Sequence, residues 1–354
     1  MDTSRPDPAC GIRCLAWSVV VLISPGSGLA SEPVALRTES FTVSPATQPL
    51  VFVAIKNLRD APYRGTVAMK APKGWRVVPA ARQVTLAPGE VKRVPFTVER
   101  GLTTEANAYP IEVSAVGAGA TVVRQQNVVC ASAPYFKPTI DGDAGEWKDA
   151  IPVTFMTGGK RTVISTYWNR WQFCLLVAVE EAKLVGYGRD GAFDALQVAV
   201  SPQEAKTGTS SDDAAARHEF LFVWSGSGTG AKCFRLAEPG MKLSEAAKSR
   251  RVAPLEFDQA KAAVSRAGGV TYYECAIPFR LMRRQIRPSE GREFRLSILV
   301  HDPDGTGIRD WGKAAGLWPW QRNPLAWCRW QGAKWGQTPP FDSKLEWGLC
   351  ASKY

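Results

Sequence analysis

Short runs of β-forming residues, each closed by Pro, Gly or Asn, most constrain what this chain can fold into. Each run alternates apolar with polar residues or is rich in β-branched residues, as strands are. In the first third of the chain the runs are PLVFVAIKN, GTVAMKAPKGWRVVP, QVTLAPGEVKRVPFTVE, YPIEVSAVG and TVVRQQNVVC. Helix is predicted only for short pieces near residues 243–251 and 280–285. The pattern therefore predicts an all-β protein.

The number of these runs predicts a first domain over residues 33–133. Seven or so short strands in about 100 residues is the size of an immunoglobulin-like β-sandwich. The Cys, Trp, Cys framework of antibody domains is missing, because Cys130 is the only cysteine of this segment. We therefore expect an Ig-like sandwich that is not of the antibody type.

The stretch Pro138–Ala150, PTIDGDAGEWKDA, marks the start of a second domain. Its Asp and Gly residues form turns, because Gly tolerates positive φ and Asp bonds its own backbone. Glu146 and Trp147 predict a short edge or one helical turn, with the indole on the core and the carboxylate in water. The later runs AFDALQVAVSP, HEFLFVWSG and VTYYECAIPF alternate, which is typical of antiparallel sheets with one wetter face. Residues 135–354 are therefore predicted to form a second, larger antiparallel β-sandwich.

The N-terminus has the pattern of a secretion signal. Arg5 and Arg13 precede the apolar run CLAWSVVVLI, and the helix-breaking SPGSG follows it. The run has the length of a signal h-region and is too short to span a bilayer comfortably. We expect residues 1–30 to be a signal peptide cleaved near Ala30, and the protein to be secreted or periplasmic without a membrane span. Six cysteines then remain, and their disulfide pairing stays open.

The formal net charge of the chain is +11 at pH 7. Such an excess favours acidic partners, among them anionic polysaccharide, nucleic acid and anionic envelope surfaces. Export and the lack of a nucleic-acid reader motif argue against nucleic acid. At helical spacing Arg280, Arg284 and Arg287 would share a face that meets a sulfate or a uronate, or that is only solvated.

Known catalytic motifs are missing from the sequence. His218 and His301 are the only histidines, and GxSxG, HExxH and the P-loop do not occur, which argues against hydrolase triads and zinc protease chemistry. No βαβ succession indicates a barrel-type glycosidase. A glycosidase needs two carboxylates at a set separation, which a sequence does not reveal. We therefore predict that the protein is not an enzyme, with weak glycosidase activity left open.

The first domain carries three turn motifs, which are Asn57 after a strand, Pro72–Trp75 at the head of the next strand, and Leu86–Glu90 before Phe96. Together they resemble the Ig-like domain that is appended to alpha-galactosidases and other secreted carbohydrate-active enzymes. The resemblance implies a spacer or support that has no binding site of its own.

Two β-rich runs flank Asn169 and Arg170, which predicts a hairpin there. The second domain carries five motifs in order, which are Ile140–Gly142 with Glu146 and Trp147, the hairpin Trp168–Leu176, Asp194–Val198, Glu274–Phe279, and His301–Gly305 before Trp311. Their order resembles carbohydrate-binding module family 9 and its DOMON-like relatives, which are β-sandwiches of secreted bacterial proteins. The resemblance implies a secreted, non-catalytic carbohydrate-binding protein that is accessory to polysaccharide breakdown by separate glycoside hydrolases. Its partners would be a polysaccharide or oligosaccharide, anionic ones included, and such a hydrolase.

In the sugar-binding members of that family, two aromatic side chains clamp a terminal sugar. One lies just before the Asp of the DALQV-like strand, where this chain has Arg189 and Phe193 but no Trp. The other lies in the C-terminal loop, where this chain has Trp311, Trp318, Trp320, Trp327, Trp330 and Trp335. The resemblance implies a carbohydrate site made of Trp335, Trp311, Trp320, Phe193 and Arg189. The alternative is that the indoles close the end of the sandwich and pack on one another.

The HDPDG loop suggests a metal site. Asp302 and Asp304 are two residues apart and are followed by Gly305. Carboxylates in this arrangement bind hard cations such as calcium, and the alternative is a bare turn that begins with Asp. Calcium is therefore the cofactor that we expect if the loop binds a metal.

Two further functions stay open at this point. Some DOMON relatives hold haem between a Met and a His, for which Met156 or Met282 with His218 or His301 would be the candidates here. The other is an envelope scaffold whose second domain has no sugar site.

Overall fold

The computed structural model describes residues 32–188, 193–202, 217–241, 252–283, 286–314, 323–324, 341–342 and 345–351. Their regular structure is almost entirely strand, arranged in antiparallel sheets that pack face to face. The predicted all-β class and the β-sandwich architecture are confirmed. The predicted signal peptide and most of the tryptophan-rich C-terminal segment lie outside the described residues.

The first sandwich has two four-stranded sheets. Its strands are β1 (Val34–Thr38), β2 (Leu50–Asn57), β3 (Tyr63–Lys70), β4 (Arg76–Val78), β5 (Ala81–Leu86), β6 (Val91–Arg100), β7 (Tyr109–Gly117) and β8 (Ala120–Val128). The sheets have the orders β1-β2-β6-β4 and β5-β3-β7-β8. Asn57 is buried where β2 ends, and its Nδ2 donates to the carbonyls of Ala61 and Ala87, each at 2.9 Å. Asn is suited to this buried position because its amide group supplies the hydrogen-bond donors that the backbone carbonyls of two neighbouring turns need.

The second sandwich packs a five-stranded sheet on a seven-stranded sheet. Its strands are β9 (Ser132–Ala133), β10 (Val153–Thr157), β11 (Lys160–Trp168), β12 (Gln172–Glu180), β13 (Ala195–Pro202), β14 (His218–Trp224), β15 (Ala231–Ala237), β16 (Lys261–Ala267), β17 (Val270–Pro278), β18 (Glu293–Asp302), β19 (Gly307–Asp310) and β22 (Leu345–Leu349), with a separate pair β20 (Asn323–Pro324) and β21 (Phe341–Asp342). The five-stranded sheet has the order β10-β11-β12-β17-β16. The other has the order β15-β14-β13-β18-β22-β9, with β19 paired to β18.

The main core lies between these two sheets. In β12, Phe173, Leu175 and Val177 point inward on alternate positions, and all three are buried. The Phe173 ring meets that of Phe294 in the opposite sheet edge to face, with centroids 5.2 Å apart. Burying each such side chain contributes about 1.5–3 kcal/mol to stability. The alternation of apolar residues in the sequence therefore accounts for the face-to-face packing of the two sheets.

Hydrogen bonds join the two sandwiches. Nδ2 of Asn107 donates to the carbonyl of Cys130 at 3.0 Å and to that of Pro152 at 2.8 Å. Strand β9 lies in the seven-stranded sheet, parallel to β22. Residues Glu32–Tyr354 accordingly group as one compact unit, and the boundary between residues 133 and 135 stays a prediction.

The stretch that begins the second sandwich folds as predicted. Residues Ala144–Trp147 form a 3-10 turn, and Trp147 is buried while Glu146 is exposed. Glu274 in β17 holds the stretch, because its carboxylate accepts from the Trp147 indole at 2.7 Å and from the backbone N–H groups of Asp141 and Gly142 at 2.9 and 2.8 Å. This carboxylate therefore fixes the start of the domain to the sheet.

Replacing Glu274 with Gln is expected to lower the free energy of unfolding by about 1–3 kcal/mol, because one acceptor for buried donors is lost. Urea denaturation measures the change. The control is Glu256→Gln, since Glu256 is exposed and its ion pair with Lys232 lies at the surface, where such pairs contribute about 1 kcal/mol or less. Equal losses of unfolding free energy in the two variants would show that the hydrogen bonds of Glu274 stabilise the protein no more than a surface ion pair does.

Helix is limited to single turns in the described residues. One turn, α1, spans Phe279–Met282, within the helix predicted near residues 280–285, whose last two residues lie outside the described ones. A second turn, α2, spans Trp311–Ala314 and was not predicted. The segment 243–251 lies outside the described residues. No described helix is long and apolar enough to cross a membrane, and no disulfide joins two cysteines of the described ranges.

Candidate functional site

Three buried carboxylates converge between the two sheets at one end of the second sandwich. Glu181 follows β12, Asp194 precedes β13, and Asp302 ends β18. Alternation places all three on the inner side, since Val179, Leu196 and Val300, two positions away from them, belong to the core. Oxygens of the three side chains lie within 4.8 Å of one another. We call this group the acidic cluster.

Asp302 is the ionised member of the acidic cluster. Its Oδ2 accepts from Arg309 Nη2 at 2.8 Å, from Thr306 Oγ1 at 2.8 Å and from the Thr306 N–H at 2.9 Å. Burial alone would raise the pKa of Asp302, but the hydrogen bonds from Thr306 and Arg309 outweigh it and lower the pKa below its ordinary value. Arg309 is itself fully buried, so Asp302 and Arg309 form a buried ion pair.

Glu181 and Asp194 are not compensated in this way. Both carboxylate oxygens of Glu181 and Oδ1 of Asp194 are buried without a hydrogen-bond partner among the described residues. The guanidinium of Arg266 lies 3.7 Å from Glu181. Burial raises the pKa of Glu181 to about 7 and that of Asp194 to about 8. At neutral pH these two groups therefore hold a proton or need a further positive charge.

The phenol of Tyr273 borders the same space. Its hydroxyl is buried and has no hydrogen-bond partner within the described ranges. Burial raises the pKa of Tyr273 well above its ordinary value, and the charges of Glu181, Asp194 and Asp302 raise it further. The donors are thus all oxygens, which hard cations such as Ca²⁺ prefer, and thiolate or imidazole ligands for zinc are absent from this described group.

The structure corrects the predicted pairing of Asp302 with Asp304. The carboxylate of Asp304 pairs with Lys183 Nζ at 2.7 Å, whereas Asp302 turns inward to the acidic cluster. The strand ends at Asp302 and the chain turns directly after it, so the two side chains no longer share a direction. A Cβ on Gly305 would come within 2.4 Å of Asp302 Oδ1, which explains the glycine. The sequence signal for these residues was an acidic side chain next to an apolar run, with Glu181 directly after one run and Asp194 directly before the next.

The structure also corrects two predicted sugar contacts. Phe193 and Trp311 are both buried. The Phe193 ring packs edge-on against Tyr187 at 5.3 Å, and Trp311 belongs to the core between the sheets. Neither ring therefore offers an open face to a sugar. The remaining predicted contacts, Arg189, Trp320 and Trp335, lie outside the described residues and stay predictions.

A different aromatic surface lies around the turn of the β11–β12 hairpin. Trp171, Phe136 and Tyr135 are 60%, 44% and 40% exposed. Tyr135 packs edge-on against Trp168 at 5.1 Å, and Phe136 packs against Tyr167 at 5.0 Å. Tyr167 and Trp168 are neighbours on β11 and point to opposite faces of the sheet, so Tyr135 and Phe136 lie on its two sides. We call the exposed rings of Tyr135, Phe136 and Trp171 at this end of the hairpin the aromatic surface, although they do not form one flat platform. The predicted Trp168–Leu176 hairpin contained one of its members, but nothing in the alternation marked that member as exposed.

Polar groups stand beside Trp171. The guanidinium of Arg170 lies 5.2 Å from the Trp171 ring centroid, and Oδ1 of Asn169 accepts from the Trp171 N–H at 2.9 Å. The turn thus combines an exposed indole with a hydrogen-bond donor, which is the combination that sugar sites use.

The outer face of the seven-stranded sheet carries a buried polar network. His301 Nε2 and Gln197 Oε1 are 2.7 Å apart, the Gln197 amide donates to Glu219, and Arg217 Nε donates to Glu219 at 3.3 Å. Burial lowers the pKa of His301 to about 3, so the ring is neutral. Met282 belongs to the core on the opposite face of this sheet, so His301 and Met282 do not form an axial pair for haem.

Comparison with known proteins gives one family match and a number of distant structural likenesses, among them the following three. One is a carbohydrate-binding module family 9 from Caldicellulosiruptor kristjanssonii in complex with cellotriose, with a TM-score of 0.38 and 10% identity, covering 62% of this chain and 93% of that chain. The same type of module from that organism in complex with glucose has a TM-score of 0.32 and 10% identity, covering 48% of this chain and 77% of that chain. The bacterial integrin-binding protein invasin has a TM-score of 0.21 and 10% identity, covering 78% of this chain and 59% of that chain. No curated protein matches the chain. Residues 46–117 match the family described as NPCBM-associated, NEW3 domain of alpha-galactosidase, so the first sandwich is similar to the alpha-galactosidase-associated type that its motifs resembled.

Proposed function

We propose that this chain is an exported, non-catalytic carbohydrate-binding protein, accessory to polysaccharide breakdown by separate glycoside hydrolases. The observation that carries the proposal is the indole of Trp171, which is 60% exposed at the hairpin turn of the aromatic surface. The C–H faces of a pyranose stack on such rings while its hydroxyls need polar partners nearby. Arg170 supplies such a partner. The NEW3 match supports the same context, since that domain type is named for an alpha-galactosidase.

The acidic cluster supports a structural cation better than catalysis. Glycoside hydrolysis needs a carboxylate pair that the substrate reaches, whereas Glu181, Asp194 and Asp302 are enclosed between the sheets. We infer that these residues, with Tyr273 beside them, hold Ca²⁺. The ion would neutralise the charges of Glu181 and Asp194, whose pKa values burial raises, and tie together the ends of β12, β13 and β18.

Trp171→Ala is expected to weaken binding to insoluble polysaccharide about tenfold, which corresponds to roughly 1.4 kcal/mol, because one stacking face is lost. Pull-down isotherms of the mature protein measure it. Leu102→Ala in the first sandwich is the control, since Leu102 is also 60% exposed. Trp335→Ala is measured in the same assay. If polysaccharide binding falls only in that variant, the proposed function stands but its site lies in the C-terminal segment. Wild-type binding by both Trp variants would contradict stacking at either place.

A further inference from the structure

A cleft of about 360 Å³ opens beside the β14–β15 edge of the second sandwich. Its lining includes Arg235, Arg280, Arg283 and His218 together with Phe257 and a single acidic residue, Glu238. Such a concentration of guanidinium groups in one concavity attracts anions and holds them by charge-assisted hydrogen bonds.

Two of the three arginines in the cleft are uncompensated. Arg235 pairs with Glu238 at 3.0 Å. Arg280 and Arg283 are exposed, and neither forms an ion pair or a side-chain hydrogen bond with another described residue. The cleft therefore keeps about two positive charges for a ligand, and Glu238, the one carboxylate among its described lining residues, is paired with Arg235.

The turn α1 positions these two arginines. Its apolar residues Phe279 and Met282 are buried in the core, which leaves Arg280 and Arg283, three residues apart, on the solvent side. The sequence had placed Arg280 with Arg284 and Arg287 on one helical face, and Arg284 lies outside the described residues, so that arrangement stays a prediction. The structure brings Arg280 and Arg283 together with Arg235.

The aromatic side chains that line the cleft, His218, Phe220 and Phe257, are buried. The Arg235 guanidinium lies 4.9 Å from the Phe257 ring centroid and covers that ring. Buried rings offer no open face for stacking, so a ligand meets the guanidinium groups at the rim, which suit a carboxylate or a sulfate ester. A pyranose of an acidic polysaccharide carries such a group.

We infer that this cleft is a subsite for acidic sugar residues, whose carboxylate or sulfate is bound by Arg280 and Arg283. The inference rests on the proposed carbohydrate function and names its substrate class. The N–H of Phe279 donates to the carbonyl of Trp171 at 2.8 Å, so α1 is fixed to the hairpin turn that carries the aromatic surface. A polysaccharide with both neutral and acidic residues would therefore engage two parts of one rigid region.

The test compares polygalacturonate, a sulfated galactan and neutral cellulose as ligands of the mature protein at low and high salt. Arg280→Gln/Arg283→Gln is expected to lower affinity for the acidic polymers at least tenfold at low salt and to leave cellulose binding unchanged. Arg59→Gln/Arg64→Gln in the first sandwich is the control with the same change in charge, and it is expected to stay within twofold of wild type.

The two acidic polymers show whether a carboxylate or a sulfate is preferred. Equal losses in the two double variants would overturn the subsite, because the attraction would then come from net charge alone. Duplex DNA that displaces polygalacturonate and binds more tightly would overturn it as well. If the wild-type protein binds cellulose and Arg280→Gln/Arg283→Gln does not weaken binding of the acidic polymers, the subsite is wrong and the proposed function stands. If the wild-type protein binds no polysaccharide, both are wrong.

Discussion

Replacing Asp302 with Asn is expected to lower the free energy of unfolding by about 3–5 kcal/mol, because removing one partner of a buried ion pair leaves the other charge uncompensated. Arg309 is fully buried, and the carboxylate of Asp302 is its only acidic partner among the described residues. The N–H and hydroxyl of Thr306 would then donate to a neutral amide oxygen in place of the carboxylate, which weakens both hydrogen bonds. Chemical denaturation followed by tryptophan fluorescence measures the loss.

Asp304→Asn is the matched control for Asp302→Asn. It removes a carboxylate two residues away whose partner, Lys183, is largely exposed, and such pairs contribute about 1 kcal/mol or less. Similar losses in the two variants would contradict the assignment of Asp302 to a buried pair with Arg309.

Calcium is expected to stabilise the protein by an amount that grows from pH 5 to pH 8. The pKa of Glu181 rises from 4.5 to about 7, and that of Asp194 from 3.8 to about 8. An acid whose pKa is higher in the folded state binds its proton more tightly there, so without a cation the contribution of both groups to stability falls as pH rises through these values. Ca²⁺ binds the deprotonated forms and reverses that loss, by about 2.7 kcal/mol at 100 times its Kd.

Thermal unfolding in calcium or chelator at pH 5 and pH 8 measures this effect. Glu181→Gln is expected to abolish the calcium increment at pH 8, and in chelator to unfold at or above the wild-type temperature, because it removes a buried carboxylate whose oxygens have no hydrogen-bond partner among the described residues. Glu256→Gln, which changes an exposed carboxylate, should keep the increment. A wild-type protein whose unfolding temperature is the same in calcium and chelator at pH 8 would contradict the metal centre.

The sequence predicted what depends on local patterns. The β11–β12 hairpin and the burial of Trp147 follow from alternation and turn residues close in the chain. The acidic cluster depends instead on the pairing of β13 with β18, which sets Ala195 opposite His301 and so brings Asp194 near Asp302. No local pattern determines that register.

The predicted aromatic contacts show a second limit of the sequence. A resemblance identifies which segment is near a site, but it does not tell which face of a strand or turn a ring occupies. Phe193 and Trp311 lie in cores because their positions point inward. Trp171, one position beyond the hairpin residues Asn169 and Arg170, points to solvent because the turn has no opposing sheet to cover it.

The most direct test of the central claim is a pull-down of the mature wild-type protein on a panel of insoluble neutral and acidic polysaccharides, with isothermal titration of any oligosaccharide that competes. Carbohydrate binding predicts saturable retention on at least one polymer, with a dissociation constant between about 1 mM and 1 µM, or roughly −4 to −8 kcal/mol. Retention on none of them would contradict the claim and would favour an envelope scaffold without a sugar site.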